Sequence, residues 1–102
     1  MAEKLGIFVS SDQHLRHLIG ISKAAKKAGK DVVIFFTHKG VLLTQDPDFS
    51  ELAGYARYSV CNVNFEGFGF KGKQVPGMDE TGFATQARHG EMIEECDRYL
   101  VL

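Results

Sequence analysis

The sequence predicts an α/β protein with a mainly parallel central sheet. Four short apolar runs rich in β-forming residues, "KLGIFVS", "DVVIFF", "YSVCNVNF" and "DRYLVL", are separated by stretches with helical periodicity. Strands that alternate with helices in this way form parallel sheets with helices on both faces. The chain of 102 residues has the length of one domain, so we expect a single domain over residues 1–102.

The first predicted helix lies between the first two strands. Ser11 or Asp12 can cap its N-terminus, and Gly29 follows its last turn, where a left-handed residue commonly ends a helix. Its apolar positions recur at helical spacing and are Leu15, Leu18, Ile19, Ile21, Ala25 and Ala28.

A second predicted helix begins at Asp46, because Asp46 can cap it and Pro47 is favoured at the first helical position. The residues expected on its buried face are Phe49, Leu52, Ala53 and Ala56. The third strand follows this helix, and its centre is expected from Ser59 to Val63.

Residues 64–80 are predicted to form a long loop, since "NFEGFGFKGKQVPGMDE" is rich in Gly and shows no periodicity. The aromatic residues of this loop are expected at a subunit interface or in a lid over a site, and they are Phe65, Phe68 and Phe70. Asp79 or Thr81 can cap a last helix that runs to about Glu95. One side of that helix is expected to carry Phe83, Ala87, Gly90 and Ile93.

The composition is that of a soluble globular protein, with 44% hydrophobic and 25% charged residues. A formal net charge of -1 provides no global field toward nucleic acid or an anionic membrane, so we expect neither as a partner. No apolar run approaches the roughly 18 residues that span a bilayer. We therefore expect a cytoplasmic protein.

Polar side chains follow the first three predicted strands. Because the carboxyl ends of parallel strands meet at one edge of the sheet, we expect these side chains to converge there. The candidate binding residues at this edge are Ser11, His14, His38, Lys39 and Asn62, and Cys61 is the candidate nucleophile.

Cys61 has two interpretations from its position alone. A thiol at the end of a strand, beside helix N-termini, can ionise to the nucleophilic thiolate. Free Cys is also among the most buried residue types, so Cys61 can equally be a packing residue. Cys96, at the end of the last helix, is expected to be structural, and a reducing compartment favours free thiols over a bond between the two.

Two further patterns are weak signals. His14 and His17 have the spacing of a metal pair on a helix, but no Cys or carboxylate ligands stand at a recognisable spacing, so no metal is expected. The stretch "GFGFKG" matches the dinucleotide pattern G-x-G-x-x-G, yet it does not open a helix directly.

With these residues in place, the chain resembles the DsrE/DsrF-like family, small α/β proteins of bacterial and archaeal sulfur metabolism, over nearly its whole length. The resemblance rests on the opening "KLGIFVSSDQHLRHLIGISKAAKKAGKDVVIFFTHKGVLLT", on the cysteine in "YSVCNVN" and on the closing "GEMIEECDRYLVL". It implies a three-layer α/β/α sandwich that assembles as a trimer or hexamer. The family's active cysteine often opens a helical or basic segment, whereas a Gly and Phe loop is predicted here.

In the sulfur-relay members that this chain looks like, a cysteine after the third strand accepts sulfane sulfur as a persulfide and passes it on. Cys61 matches that cysteine, with His38, Lys39 and Asn62 as candidate neighbours. The resemblance implies a sulfur carrier or sulfurtransferase that needs no cofactor and meets donor and acceptor proteins or small thiols. Two alternatives stay open: a non-catalytic oligomeric small-ligand-binding module of the same fold, and a nucleotide-binding protein built on "GFGFKG".

Overall fold

Five parallel strands form one sheet at the centre of the protein. The computed structural model describes residues 3–78, 82–84 and 87–102. The strands run in the spatial order β4-β3-β2-β1-β5, and every neighbouring pair is parallel. They are β1 (Lys4–Val9), β2 (Asp31–Phe36), β3 (Arg57–Cys61), β4 (Phe83–Ala84) and β5 (Arg98–Val101). The predicted α/β class with a parallel sheet is confirmed.

Helical segments cover both faces of this sheet, which makes an α/β/α sandwich. The segments are α1 (Leu15–Lys27), a first 3₁₀ helix (His38–Gln45), a second 3₁₀ helix (Pro47–Leu52), α2 (Asn62–Gly67) and α3 (Ala87–Glu95). Residues of α1, both 3₁₀ helices and α2 share one core cluster with Ile7 and Ile34. Met92 of α3 packs in a second cluster with Val33 and Phe35. Because successive strand residues point to opposite faces, β2 contributes to both clusters.

The first helix begins later than its sequence predicts. His14 occupies the N-cap position without a side-chain capping bond, and Leu15 is the first helical residue. The predicted cap at Ser11 or Asp12 is therefore wrong: the Ser11 hydroxyl accepts a hydrogen bond from the Gln13 N–H at 3.2 Å in the turn before the helix. The residues that link β1 to α1 use their side chains locally instead of closing the helix end.

The end of α1 is as predicted. Gly29 has a positive φ of 80°, and its N–H donates to the Lys26 carbonyl at 2.9 Å. The Lys30 N–H reaches back to the Ala25 carbonyl, also at 2.9 Å. This pair of bonds ends the helix in a Schellman motif, which requires the left-handed backbone that glycine adopts without a steric cost.

The segment after β2 folds into the two 3₁₀ helices. Asp46 caps the second 3₁₀ helix as predicted, since its carboxylate accepts a hydrogen bond from the Asp48 N–H at 2.9 Å. The predicted buried face holds for Phe49 and Leu52, whereas Ala53 is exposed because the helix ends at Leu52. Arg16 of α1 pairs with Asp48 at 2.9 Å, which joins the two segments at the surface.

Three further predictions about the second half of the chain are wrong. The third strand ends at Cys61 because Asn62 already begins α2, so the expected loop from residue 64 starts as helix. Phe83 is not helical, since its extended backbone pairs with Val60 to form β4. Among the α3 side chains that the structure describes, Met92 is buried, while Gly90 and Ile93 lie on an exposed side of the helix, with Ile93 53% exposed. The predicted caps Asp79 and Thr81, and the side chain of Ala87, lie outside the described residues.

The aromatic residues of the predicted loop also have different surroundings from those expected. Phe65 is 1% exposed and packs edge-on against Phe70 and Phe83, with ring centroids 5.5 and 4.8 Å apart. The expectation that all three Phe residues serve an interface or lid is therefore wrong for Phe65, which belongs to the core because α2 turns it inward. Phe68 is exposed.

The backbone at Gly40 passes so close to Val9 that no side chain fits between them. An added Cβ at Gly40 would overlap the Val9 carbonyl and lie 3.1 Å from the Val9 side chain. Val9 cannot shift easily, because its carbonyl accepts the Thr37 N–H at 2.9 Å. We expect Gly40→Ala to lower the free energy of unfolding by about 1 to 3 kcal/mol, as overpacking does.

Gly20→Ala is the matched control for that substitution. Gly20 lies within α1, is exposed and has nothing within 4 Å of an added Cβ. Alanine is the better helix former, so this variant is expected to raise the free energy of unfolding by about 0.5 to 1 kcal/mol. Urea unfolding of both variants measures the difference, and equal midpoints would show that the first 3₁₀ helix does not press against β1.

Candidate functional site

The carboxyl edge of the sheet brings together the chain segments that follow β1, β2 and β5. The Thr37 N–H donates to the Val9 carbonyl, and the Ser10 N–H donates to the Leu102 carbonyl, each at 2.9 Å. In open parallel sheets this edge is where ligands bind. Here the first 3₁₀ helix covers part of it, because Gly40 lies directly against Val9.

Asn64 ties the end of β2 to the first turn of α2. Its side-chain oxygen accepts hydrogen bonds from the Thr37 hydroxyl and from the His38 N–H, both at 3.0 Å. Thr37 is fully buried, while Asn64 is half-buried. The sequence predicts that Asn64 meets Thr37 and His38 at this edge, at the start of a loop, but it does not indicate these hydrogen bonds, because they join residues 26 and 27 positions apart.

His38 and Lys39 are both exposed where the chain leaves β2. His38 has a positive φ of 48°, the only non-glycine residue with a positive φ in the part of the chain that the structure describes. Such a conformation is uncommon for residues other than Gly, although His, like Asn and Asp, adopts it more often than most. The hydrogen bond from its N–H to Asn64 holds it in place, so the imidazole projects at the edge from a fixed backbone.

Cys61 is the last residue of β3 and the N-cap residue of α2. Its side chain is 2% exposed and packs with Val33, Phe35 and Met92 in the cluster beneath α3. Its backbone pairs with Ala84 of β4. The site of the candidate nucleophile is therefore a strand-to-helix junction that a two-residue edge strand and α3 cover.

Cys96 lies at the other end of the sheet. A Cβ added to Gly6, in the first half of β1, would be 2.8 Å from the Cys96 sulfur. The two cysteines, both within the described residues, are not joined by a disulfide bond. Burial raises the pKa of the neighbouring Tyr99 to about 12, and the negative charge on ionised Cys96 adds to that rise. The contact with Gly6 fits the structural role expected of Cys96.

The remaining candidate residues lie near the N-termini of α1 and α2. Ser11 and His14 lie before α1, where the His14 and His17 rings are 6.1 Å apart. In the described ranges, no group of three or more His, Cys, Asp or Glu residues could hold a metal ion. Asn62 is exposed as the first residue of α2.

A cavity of about 760 Å³ lies beside α2, and sequence reasoning did not find it. Its lining includes Asn62, Phe65 and Glu66 of α2, Lys71 and Lys73 of the following segment, and Phe83 of β4. In the sequence, only the Gly and Phe pattern of residues 64–80 indicated that this region could have a function. The stretch "GFGFKG" itself ends α2 and continues into turns at Gly69 and Gly72, instead of joining a strand to a helix.

The fold and site define a class of protein: a small α/β sandwich with a five-stranded parallel sheet, a cysteine at a strand-to-helix junction and a cavity beside it. No protein-family model and no curated protein matches the chain. Among the residues that the structure describes, no helix is both long and apolar enough to cross a membrane.

Replacing Asn64 tests the connection between β2 and α2. Asn64→Ala removes the acceptor of two hydrogen bonds at a partly buried position, so we expect the free energy of unfolding to fall by about 1 to 3 kcal/mol. Asn64→Asp keeps an acceptor oxygen, so its free energy of unfolding is expected to fall less than that of Asn64→Ala. The measurement is the midpoint of urea unfolding.

Asn62→Ala is the control, since Asn62 lies in the same turn, is exposed and makes no side-chain hydrogen bond with any described residue. A surface change of this kind is expected to alter the free energy by less than about 0.5 kcal/mol. Equal losses in Asn62→Ala and Asn64→Ala would contradict the role given to Asn64.

Proposed function

We propose that the protein accepts sulfane sulfur on Cys61 as a persulfide and passes it to an acceptor thiol. The observation that carries this proposal is the position of Cys61 as N-cap residue of α2 at the carboxyl end of β3. The resemblance to the DsrE/DsrF-like family implies an active cysteine after the third strand that often opens a helical or basic segment. The sequence predicts a loop after Cys61, and the short helix α2 found there supports the proposal.

The chemistry consists of two exchange reactions. The Cys61 thiolate attacks the outer sulfur of a donor persulfide, R–S–SH, forms a sulfur–sulfur bond and releases the donor as the thiolate R–S⁻. An acceptor thiolate then attacks the outer sulfur of the Cys61 persulfide and regenerates the Cys61 thiolate. The sulfur atom keeps its oxidation state throughout, so neither step needs an oxidant, a reductant or a cofactor.

The neighbours proposed for this chemistry stand at the same edge of the sheet. Lys39 carries a positive charge and His38 can donate or accept a proton, but both belong to the first 3₁₀ helix, which packs on the face of the sheet opposite the Cys61 side chain. Both are exposed, and the hydrogen bond from the His38 N–H to Asn64 connects them to the helix that Cys61 opens. Asn62, the next residue after Cys61, faces solvent.

Access to Cys61 requires a local opening, because its side chain is 2% exposed. β4 has only two residues and pairs Ala84 with Cys61 at the edge of the sheet. Short edge elements belong to the low-stability end of a protein and open without global unfolding. We therefore propose that transient release of β4 exposes the thiol to the donor.

A non-catalytic small-ligand-binding module of the same fold is the second candidate function. The specific observation in its favour is the packing of Cys61 against Val33, Phe35 and Met92, which is the environment of a structural cysteine. The two candidates differ in one measurable property, which is the reactivity of the Cys61 thiol in the native protein.

Assembly as a trimer or hexamer and cytoplasmic donor and acceptor partners belong to the same proposal. Exposed apolar side chains on the outer strand and on α3 support self-association: Ile93, Leu100 and Val101 are 53%, 40% and 64% exposed. β5 is an edge strand of the sheet, and exposed edges favour pairing with another chain. Light scattering of the native protein is expected to give three or six times the mass of one chain.

Intact-mass measurement tests whether a persulfide forms on Cys61. We incubate the reduced protein with a polysulfide donor, remove the donor and measure the intact mass. We expect the parent protein and Cys96→Ser to gain the mass of one sulfur atom, and dithiothreitol to reverse the gain. Cys61→Ser is expected to gain none.

Cys61→Ala accompanies Cys61→Ser, because a buried hydroxyl can destabilise a core that an alanine leaves intact. Circular dichroism confirms that each variant is folded before it is tested. A mass gain in the two Cys61 variants equal to that of the parent would contradict the proposed carrier function. A parent that gains no sulfur and whose Cys61 resists iodoacetamide would favour the binding module instead.

A further inference from the structure

The cavity beside α2 has an apolar floor that other parts of the chain hold in place. Phe65 and Val75 form it and are 1% and 4% exposed, and Met78 and Phe83 pack against the same core cluster. The Phe65 and Phe83 rings, 4.8 Å apart, join α2 to β4 beneath the cavity. The floor is therefore part of the protein core.

Residues 71–78, which contribute Val75 and Met78 to the floor and otherwise form the outer wall, are anchored at several points. The Tyr58 hydroxyl donates a hydrogen bond to the Pro76 carbonyl, and the Gln45 side chain donates to the Gln74 carbonyl at 3.2 Å. Within the segment, the Met78 N–H donates to the Val75 carbonyl at 3.1 Å. These bonds reach from β3 and the first 3₁₀ helix, so the wall is attached to the body of the protein.

Among the described residues at the rim of the cavity, positive charges outnumber negative ones. Lys71 and Lys73 line it and are exposed, and among the described residues of the lining Glu66 is the only acidic one. None of these three side chains forms an ion pair with any residue that the structure describes. Within the described lining, two ammonium groups lie beside one carboxylate, which favours an anion at the mouth of the cavity.

The volume of about 760 Å³ lies within the range of small-molecule sites, roughly 300 to 1,000 Å³. An apolar floor beneath charged groups at the rim is the arrangement that binds an amphipathic ligand in one orientation.

We propose that this cavity binds a small organic anion, with the apolar body of the ligand on Phe65, Val75 and Met78 and its negative group beside Lys71 and Lys73. The site is separate from the thiol of Cys61, whose side chain packs on the opposite face of the sheet. This proposal is compatible with either function of Cys61. If the protein is a non-catalytic binding module, its ligand would be a small organic anion.

A matched pair of fluorescent probes separates the apolar and the charged contributions. 1-Anilinonaphthalene-8-sulfonate carries one negative charge, and N-phenyl-1-naphthylamine has the same rings without it. Both are titrated against the full native chain at low salt. We expect both to bind, and we expect Lys71→Gln/Lys73→Gln to weaken the affinity for the sulfonate by about tenfold, because the variant lacks both exposed charge contacts with it.

The affinity for the neutral probe is expected to change less than about twofold in that variant, and added salt should reduce the preference for the sulfonate. The control Lys26→Gln/Lys27→Gln removes two positive charges from the last turn of α1, outside the cavity lining. Met78→Glu places a negative charge on the apolar floor and is expected to weaken both probes. Circular dichroism and the unfolding midpoint show whether each variant retains the native fold.

Three results would overturn the proposal. The first is an affinity for the sulfonate that is the same in Lys71→Gln/Lys73→Gln as in the parent. The second is an equal loss in the Lys26→Gln/Lys27→Gln control, which would show that net charge alone matters. The third is displacement of the sulfonate as the protein concentration rises and the chain self-associates, because a second copy would then occupy the cavity. Each of these leaves the mass test on Cys61 unaffected.

Discussion

The burial of β2 on both faces is the constraint on which the rest of the structure depends. Val32, Ile34 and Phe36 point into the cluster beneath α1, and Val33 and Phe35 point into the cluster beneath α3. A strand that is apolar on both sides is typical of a parallel sheet with a layer on each face. β1 and β3 flank it in register, so their carboxyl ends reach the same edge of the sheet as its own.

That edge explains why the proposed chemistry and the proposed ligand site lie close in sequence but on different faces. Cys61 ends β3 with its side chain beneath α3, and Asn62 then begins α2, which turns Phe65 to the other face and lines the cavity. Asn64 fixes the same turn to the end of β2. A change that loosens α2 would therefore affect both the thiol and the cavity.

Much of the first half of the chain could be predicted from its sequence, because local rules decide it. β2 has the predicted bounds, Gly29 ends α1 and Asp46 caps the next helix, and each depends on residues near in sequence. The second half was predicted less well. Phe83 pairs as a strand with Val60, and Met92 instead of Ile93 faces the sheet, because partners distant in sequence decide both.

For the candidate site, the sequence by itself determined which residue types stand after each strand, and hence that Cys61, His38 and Lys39 belong to one edge. Only the tertiary structure decided that the Cys61 side chain is buried, that Asn64 joins β2 to α2 and that Lys71 and Lys73 border a cavity. The physical reason is that strand order and hydrophobic alternation act over a few residues. Burial, hydrogen bonds across 26 positions and the shape of a cavity exist only when distant segments pack together.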